Sequence, residues 1–178
     1  MDTTKSNKIV QEYLQKEPKF IRKVKKFSGT FDTTPEKIFP LLCPAREADW
    51  IIGWDSELLY TESGYAEDKC VFRTDENNLA GEGIWTFTGY KLNEYIKFVK
   101  IEQDLLIHAK VDVVQNENAS TTVTWNITST AISEKGNKLL ENPKSHIDSN
   151  LAVKMLDYYL KNGKKISKMS LMKEKIHH

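Results

Sequence analysis

The feature that most constrains the fold of this chain is a long stretch, from Asp55 to about Ser133, in which apolar and polar residues alternate. Alternation with a period of two indicates β-strands with one buried face, because successive side chains of a strand point to opposite sides of the sheet. Short polar or glycine-containing turns divide the stretch, and strands joined so closely usually pair with antiparallel neighbours. The sequence therefore predicts an antiparallel meander over residues 55–63, 69–76, 81–92, 94–103, 105–117 and 119–133.

The segment before the meander predicts one further strand and a broken helix. Residues 23–33 have the pattern of a strand. Thr34 can then cap a helix whose first turn contains Pro35. Pro40 lies inside this helix, which we therefore expect to be short or kinked, and we expect Pro44 to end it.

Helix returns after the meander, first as a short piece over residues 133–142 and then as a long helix from Ser145 to near Gly163. The apolar face of the long helix contains Ile147, Leu151, Met155, Tyr158 and Tyr159. This order of elements predicts an α+β protein of the helix-grip type. Its curved antiparallel sheet wraps around the long C-terminal helix, with two short helices after the first strand.

We expect three parts along the chain. Residues 1–19 form an N-terminal arm, in which residues 6–16 have the spacing of a short amphipathic helix. Residues 20–166 form the single domain, and residues 167–178 form a basic tail. We expect the tail to be a solvated helix end, although its mixture of lysines and apolar residues also suits a membrane surface or a partner.

The alternation also predicts which side chains face the interior of the sheet, and it predicts polar outer faces without a large apolar patch. A slip of one residue or a bulge would invert any one of these assignments. The predicted inward-facing side chains are Leu58, Tyr60, Cys70, Phe72, Thr74, Trp85, Phe87, Ile107, Ala109, Val111, Val113, Val123, Trp125, Ile127 and Ser129.

Composition and charge exclude several classes of partner. Lys and Arg number 26 against 25 Asp and Glu, so no overall field would attract nucleic acid. No apolar run is long enough for stable insertion in a membrane, and the N-terminus has no signal-peptide core. Two cysteines are too few for a disulfide framework. We therefore expect a cytoplasmic protein, a monomer or weak homodimer, that binds no nucleic acid.

Three stretches carry a resemblance to a known superfamily: FDTTPEKIFPLLCPAREADWIIGWDSELLYTESGYAEDKCVFRT, GIWTFTGY and MLDYYLKNGKKI. They resemble one bacterial and archaeal branch of the START-like or SRPBCC superfamily, which includes polyketide cyclase/dehydrase-like and birch-allergen-like proteins. The resemblance covers residues 24–166 and is most specific in LLCPAREADWIIGW. It implies a hydrophobic cavity between sheet and long helix, but no particular reaction, because the superfamily includes carriers, cyclases, lyases and co-chaperones.

The predicted ligand site consists of apolar and aromatic side chains with a charged pair at its mouth. Arg46 could hold a ligand carboxylate there, or it could neutralise a helix end beside a solvated Glu47. Trp50 and Trp54 could flank the opening or fix their segment to the core. The predicted ligand-binding residues are Trp50, Trp54, Tyr60, Phe72, Trp85, Phe87, Trp125, Leu151, Met155 and Tyr159, with Arg46 and Glu47 at the mouth.

Motifs for catalysis or metal binding are missing from the sequence, and we expect no cofactor and no metal. Cys43, predicted at the C-terminal end of a short helix, and Cys70, predicted mid-strand, are expected to be unreactive thiols. His108 is expected at the surface, and His146 at the start of the long helix. We assign no catalytic residue; if the protein is an enzyme, Tyr60 and Glu47 are the candidate acid or base.

Three functions remain open at this stage. The first is binding or carriage of a small hydrophobic ligand, such as a lipid, polyketide or isoprenoid-like molecule. The second is a cyclase or dehydrase, which requires an inward-facing acid or base. The third is a protein-interaction module of the co-chaperone kind.

Overall fold

The computed structural model describes residues 19–64, 66–142 and 149–167. Within these residues seven strands form one antiparallel sheet in the order β1-β7-β6-β5-β4-β3-β2. The predicted meander is therefore confirmed, and the first strand completes the sheet by pairing with the last. The strands are β1 (Arg22–Phe31), β2 (Glu57–Tyr60), β3 (Val71–Thr74), β4 (Gly83–Lys91), β5 (Tyr95–Ile101), β6 (Leu105–Gln115) and β7 (Thr121–Ala131).

The helices lie between β1 and β2 and after β7. They are α1 (Pro35–Ile38), a 3-10 helix (Phe39–Leu42), α2 (Pro44–Glu47), α3 (Glu134–Glu141) and α4 (Ser149–Asn162). Thr34 is the N-cap of α1, and the helix tightens into the 3-10 form where Pro40 lies, as predicted.

The expectation that a helix ends at Pro44 is confirmed, because the 3-10 helix ends at Leu42 with Cys43 as its C-cap. A second short helix follows directly. Pro44 begins α2, where its missing N–H costs nothing because the first N–H groups of a helix have no intrahelical acceptor. Cys43 is therefore both the C-cap of the 3-10 helix and the extended N-cap residue of α2.

The predicted inner faces of β4, β6 and β7 are confirmed by the register. Trp125 lies opposite Val111, which lies opposite Ile96, and these side chains are buried on the concave side. The prediction for Tyr60 is wrong. The register shifts between Leu58 and Tyr60, so Tyr60 pairs with Val71 on the outer face, and its side chain is 58% exposed.

The concave face of the sheet has two unequal halves. Val111, Val113 and Val123 are buried at the half near α1 and the 3-10 helix. In the other half, Phe98, Ile107, Ile127 and Ser129 point to the same side of the sheet but keep part of their surface accessible. Packing is therefore dense at one end of the interior and incomplete at the other.

Helix α4 covers the concave face, and Met155 and Leu156 are fully buried in the same apolar cluster as the valines of the sheet. The helix approaches β1 at Gly29, where an added Cβ would lie 2.7 Å from Val153 Cγ1. This glycine lets the helix pack close to the sheet.

The outer face is less polar than predicted. Ile84 lies opposite Ile101, and Ile101 lies opposite Leu106, so three neighbouring strands present an apolar row on the convex side. Ile84 and Ile101 are exposed.

Several predictions fall outside the described residues. They are the helix at residues 6–16 of the N-terminal arm, His146 and Ile147 at the start of the long helix, and the tail from residue 168. The boundaries of the three predicted parts stay predictions.

Candidate functional site

An aromatic cluster lies on the concave side of β3, β4 and β5. Trp85 is at its centre: its ring stacks on Phe72 with centroids 5.5 Å apart, lies 5.4 Å from the ring of Phe98 and meets Trp54 edge-on at 5.9 Å. Phe87 packs edge-on against Phe72 at 6.2 Å. Phe72, Trp85 and Phe87 are buried, whereas Trp54 and Phe98 keep accessible surface. The cluster therefore reaches the incompletely packed half through these two rings.

The two tryptophans after α2 have different roles. Trp50 is 2% exposed, and its indole Nε1 donates a hydrogen bond of 2.7 Å to the carbonyl of Leu41, so it fixes this segment to the core. Trp54 donates from Nε1 to the carbonyl of Pro44 at 2.8 Å and remains half-buried. Of the pair, only Trp54 presents a surface that a ligand could contact.

The other predicted apolar contacts come from β7 and α4. Trp125 is buried and stacks on Phe27, with ring centroids 5.1 Å apart and an interplanar angle of 9°. Met155 is buried in the core, and Leu151 and Tyr159 are half-buried. Trp125 and Met155 thus form the base of the interior, and Leu151 and Tyr159 lie nearer its boundary.

Glu47 is half-buried, which differs from a fully solvated side chain. It follows Pro44 by three residues and precedes Ile51 by four, which places it on the helical face that carries these two buried residues. Burial raises the pKa of Glu47 to about 8. Among the described residues no hydrogen bond or charged group offsets this burial, yet the side chain keeps some accessible surface. A carboxyl group with this pKa keeps its proton at neutral pH.

Arg46 points the other way from the same helix and is half-exposed. Its Nε lies 2.5 Å from Asp49 Oδ2. Asp49 and then Tyr159 raise the pKa of Arg46. The guanidinium is therefore paired with Asp49, and a ligand carboxylate would have to compete with this existing partner.

Sequence reasoning missed one charged residue on the concave face. Lys100 lies opposite Ile107 and Trp85, is 1% exposed, and has its pKa lowered by burial. Its Nζ donates to the carbonyls of Ala80 (2.5 Å) and Gly81 (3.2 Å) and to Glu102 Oε1 (2.5 Å). The alternation in β5 could have revealed this lysine. Because three acceptors use its three hydrogens, Lys100 holds the β3–β4 turn and is not a free nucleophile.

Other reactive chemistry is sparse in the described part of the chain. No group of three metal-ligating side chains occurs among these residues. Cys43 and Cys70 are free, and burial raises the pKa of the Cys70 thiol, which makes it less reactive. His108 is exposed on the outer face. No helix within the described ranges has the length and apolar character required to span a bilayer.

The fold is shared with several solved structures. Norcoclaurine synthase from Thalictrum flavum, solved in complex with dopamine and hydroxybenzaldehyde, is 14% identical and superposes with a TM-score of 0.59 over 84% of this chain and 91% of its own. DynU16, from the dynemicin biosynthetic locus, is 12% identical with a TM-score of 0.57; the match covers 79% of this chain, which spans about half of DynU16 (48%). A Mesorhizobium loti protein is 10% identical with a TM-score of 0.54, over 78% of this chain and 97% of its own.

No family model matches the chain, and no curated protein matches it. At these identities the likeness to solved structures shows the fold alone. The chain has the helix-grip fold implied by the sequence resemblance.

Proposed function

We propose that this protein binds a small hydrophobic molecule between the concave face of the sheet and α4. The observation that supports this function is the unequal packing of that face. Phe98, Ile107 and Ile127 are apolar, point inward and still keep accessible surface. A molecule that covers this surface would gain roughly 25 cal/mol for each Å² of apolar area removed from water.

The neighbouring aromatic cluster supports the same proposal. Trp54 and Phe98 add partly accessible rings beside a buried Trp85, and flat apolar walls with few polar groups are typical of small-molecule sites. A lipid, a polyketide or an isoprenoid-like molecule has the required character. Norcoclaurine synthase, which has this fold, holds two small aromatic molecules in one crystal structure.

The two free cysteines suit a cytoplasmic protein.

The isoleucines provide a direct test. Protein labelled with ¹³C at isoleucine δ1-methyl groups is titrated with 2-ethylnaphthalene and followed by NMR. Saturable shifts of Ile107 and Ile127 are expected, while Ile84 and Ile101 on the convex face serve as internal controls. Absence of saturable shifts at the inward pair, or equal shifts at the outward pair, contradicts the proposal.

A space-filling variant gives an independent measurement. Ile127→Trp places a large ring in the incompletely packed half and should reduce binding, whereas Ile84→Trp on the convex face should not. Far-UV circular dichroism establishes that both variants fold. Native mass spectrometry after exposure to a lipid extract of the host then seeks the natural ligand.

A second candidate function is an enzyme of the polyketide cyclase or dehydrase kind. The half-buried Glu47 favours it, because proton transfer to a carbonyl or enolate requires an acid with a pKa near the working pH, and burial raises the pKa of Glu47 to about 8. Conversion of a bound polyketone that is lost in Glu47→Gln would support this function over simple carriage.

A further inference from the structure

Strand β1 directs two of its lysines to the concave side of the sheet. Phe27 stacks on the buried Trp125 of the neighbouring strand, so Phe27 faces the interior. Residues two and four positions earlier in a strand point to the same side. Lys25 and Lys23 therefore face the concave side, and the Nζ atom of Lys25 lies over the Phe27 ring, 5.8 Å from its centroid.

The register places both lysines beside the incompletely packed half of the interior. Lys25 lies opposite Ile127, and Lys23 lies opposite Ser129, which in turn lies opposite Ile107. Neighbouring strands are about 4.8 Å apart, so the two isoleucines lie one and two strands away from the lysines. Both isoleucines keep part of their surface accessible. This half of the concave face therefore combines an apolar floor with a cationic border at β1.

The positive charge at this border differs from the other charges near the site. Lys100 gives its three hydrogens to two carbonyls and to Glu102, and Arg46 is paired with Asp49. Lys23 is exposed and forms no ion pair with any residue in the described ranges. An anion can therefore approach Lys23 without displacing an acidic side chain from the described part of the protein.

From this geometry we propose that the bound molecule is a hydrophobic acid, whose apolar body covers Ile107 and Ile127 and whose anionic head group lies at Lys23 and Lys25. The proposal rests on the proposed binding function and specifies the class of its ligand. The head group would lie at the border of the sheet, where water still reaches it, so the ion pair forms without the full cost of burying two charges.

Other classes of ligand fit this arrangement less well. A hydrophobic amine would be repelled by both lysines. A neutral hydrocarbon would cover the same apolar floor and gain nothing from the positive border. A hydrophobic acid uses both features of the surface.

Matched probes isolate the contribution of the charge. 2-Naphthylacetate and 2-naphthylacetamide have nearly the same size and shape, but only the first is charged at pH 7.5. We expect the acid to bind roughly threefold to tenfold more tightly, or about 0.6–1.4 kcal/mol, which is within the range for two exposed ion pairs. The saturable shifts of the Ile107 and Ile127 methyl groups measure both affinities. The advantage should shrink between about 20 mM and about 0.5 M NaCl, because salt screens exposed charges.

Two double variants of the same strand test which charges are responsible. Lys23→Gln with Lys25→Gln should remove the preference for the acid and still bind the amide. Arg22→Gln with Lys26→Gln also removes two positive charges, but these side chains point to the convex side, so this matched control should keep the preference. Far-UV circular dichroism establishes that both double variants fold.

The outcomes separate this proposal from the proposed function. If the acid and the amide bind equally to the wild type, or if the Lys23 and Lys25 double variant keeps the preference, the cationic anchor is wrong while hydrophobic binding stands. Equal loss in both double variants would mean that the overall charge of β1 attracts the acid, which also overturns the anchor. Loss of the preference in Arg46→Gln alone would place the head group at α2 instead. If neither probe shifts the inward isoleucines, the binding function itself fails.

Discussion

Replacing Glu47 by glutamine should change how the stability of this protein depends on pH. A glutamate in an unfolded chain has a pKa near 4.5, whereas burial raises the pKa of folded Glu47 to about 8. Between these values the unfolded chain has lost the proton and the folded protein keeps it. The free energy of unfolding therefore falls as pH rises through this window, and the loss is complete above about pH 8.

The magnitude follows from proton linkage. One proton that the folded state binds and the unfolded state has released changes the free energy of unfolding by about 1.4 kcal/mol per pH unit. From pH 5 to 7.5 the upper limit is roughly 3 kcal/mol, and the accessible surface that Glu47 retains reduces the expectation to about 2 kcal/mol. Glutamine is neutral throughout, so Glu47→Gln should lack this loss and be the more stable protein at pH 7.5.

Urea unfolding, followed by tryptophan fluorescence at pH 5.0, 6.0, 7.0 and 7.5, measures the free energy of unfolding of variant and wild type. Contributions from other titrating groups cancel in the difference between the two proteins. The stability of Glu47→Gln relative to wild type should rise steadily across the series. Glu141→Gln removes a glutamate from an exposed position on α3, and its difference in free energy of unfolding from wild type should not change across the pH series. If the difference for Glu47→Gln also stays constant with pH, Glu47 is solvated and is not a neutral acid at pH 7.

Two further predictions concern Lys100 and Gly136. Lys100→Met leaves a carboxylate and two carbonyls without their buried ammonium partner. This variant should lower the free energy of unfolding, measured in urea, by about 3–5 kcal/mol. Lys91→Met, which removes an exposed ion pair, should lower it by less than about 1 kcal/mol. Gly136→Ala puts a Cβ into the backbone oxygen of Asp104 and should cost about 1–3 kcal/mol, with a lower melting temperature by calorimetry. Gly89→Ala meets only the flexible Lys97 side chain and should melt close to wild type; equal melting of the two alanine variants refutes the steric argument.

The sheet could be predicted from sequence because burial on one face imposes a period of two that is visible without coordinates. The concave positions of β6 and β7, such as Val111 and Trp125, followed directly from this alternation. Tyr60 could not be placed in the same way, because the bulge before it breaks the period and nothing local in ELLY marks a bulge. Pro44 was ambiguous for a different reason, since proline both ends one helix and suits the first turn of the next.

The candidate site was only partly visible in the sequence. Its aromatic members are large apolar residues in alternating strands, so Phe72, Trp85 and Phe87 could be assigned to one face. The burial of Glu47 depends on how α2 lies against the rest of the fold, and a four-residue helix has too little periodicity to show which face is covered. Lys100 follows the inward alternation of β5, but a lysine in a strand is normally assigned to the solvent side, so its chemistry outweighs the pattern.

The position of β1 at the border of the sheet has a consequence for self-association. One side of its ten-residue backbone pairs with β7, and no described strand pairs with the other, which leaves a ready template for strand addition. Its first five residues include Arg22, Lys23, Lys25 and Lys26. A second molecule that adds its own β1 in parallel register would bring eight positive charges together, and salt screens such repulsion beyond about 8–10 Å. The basic border therefore protects the protein against edge-to-edge aggregation, most effectively at low ionic strength.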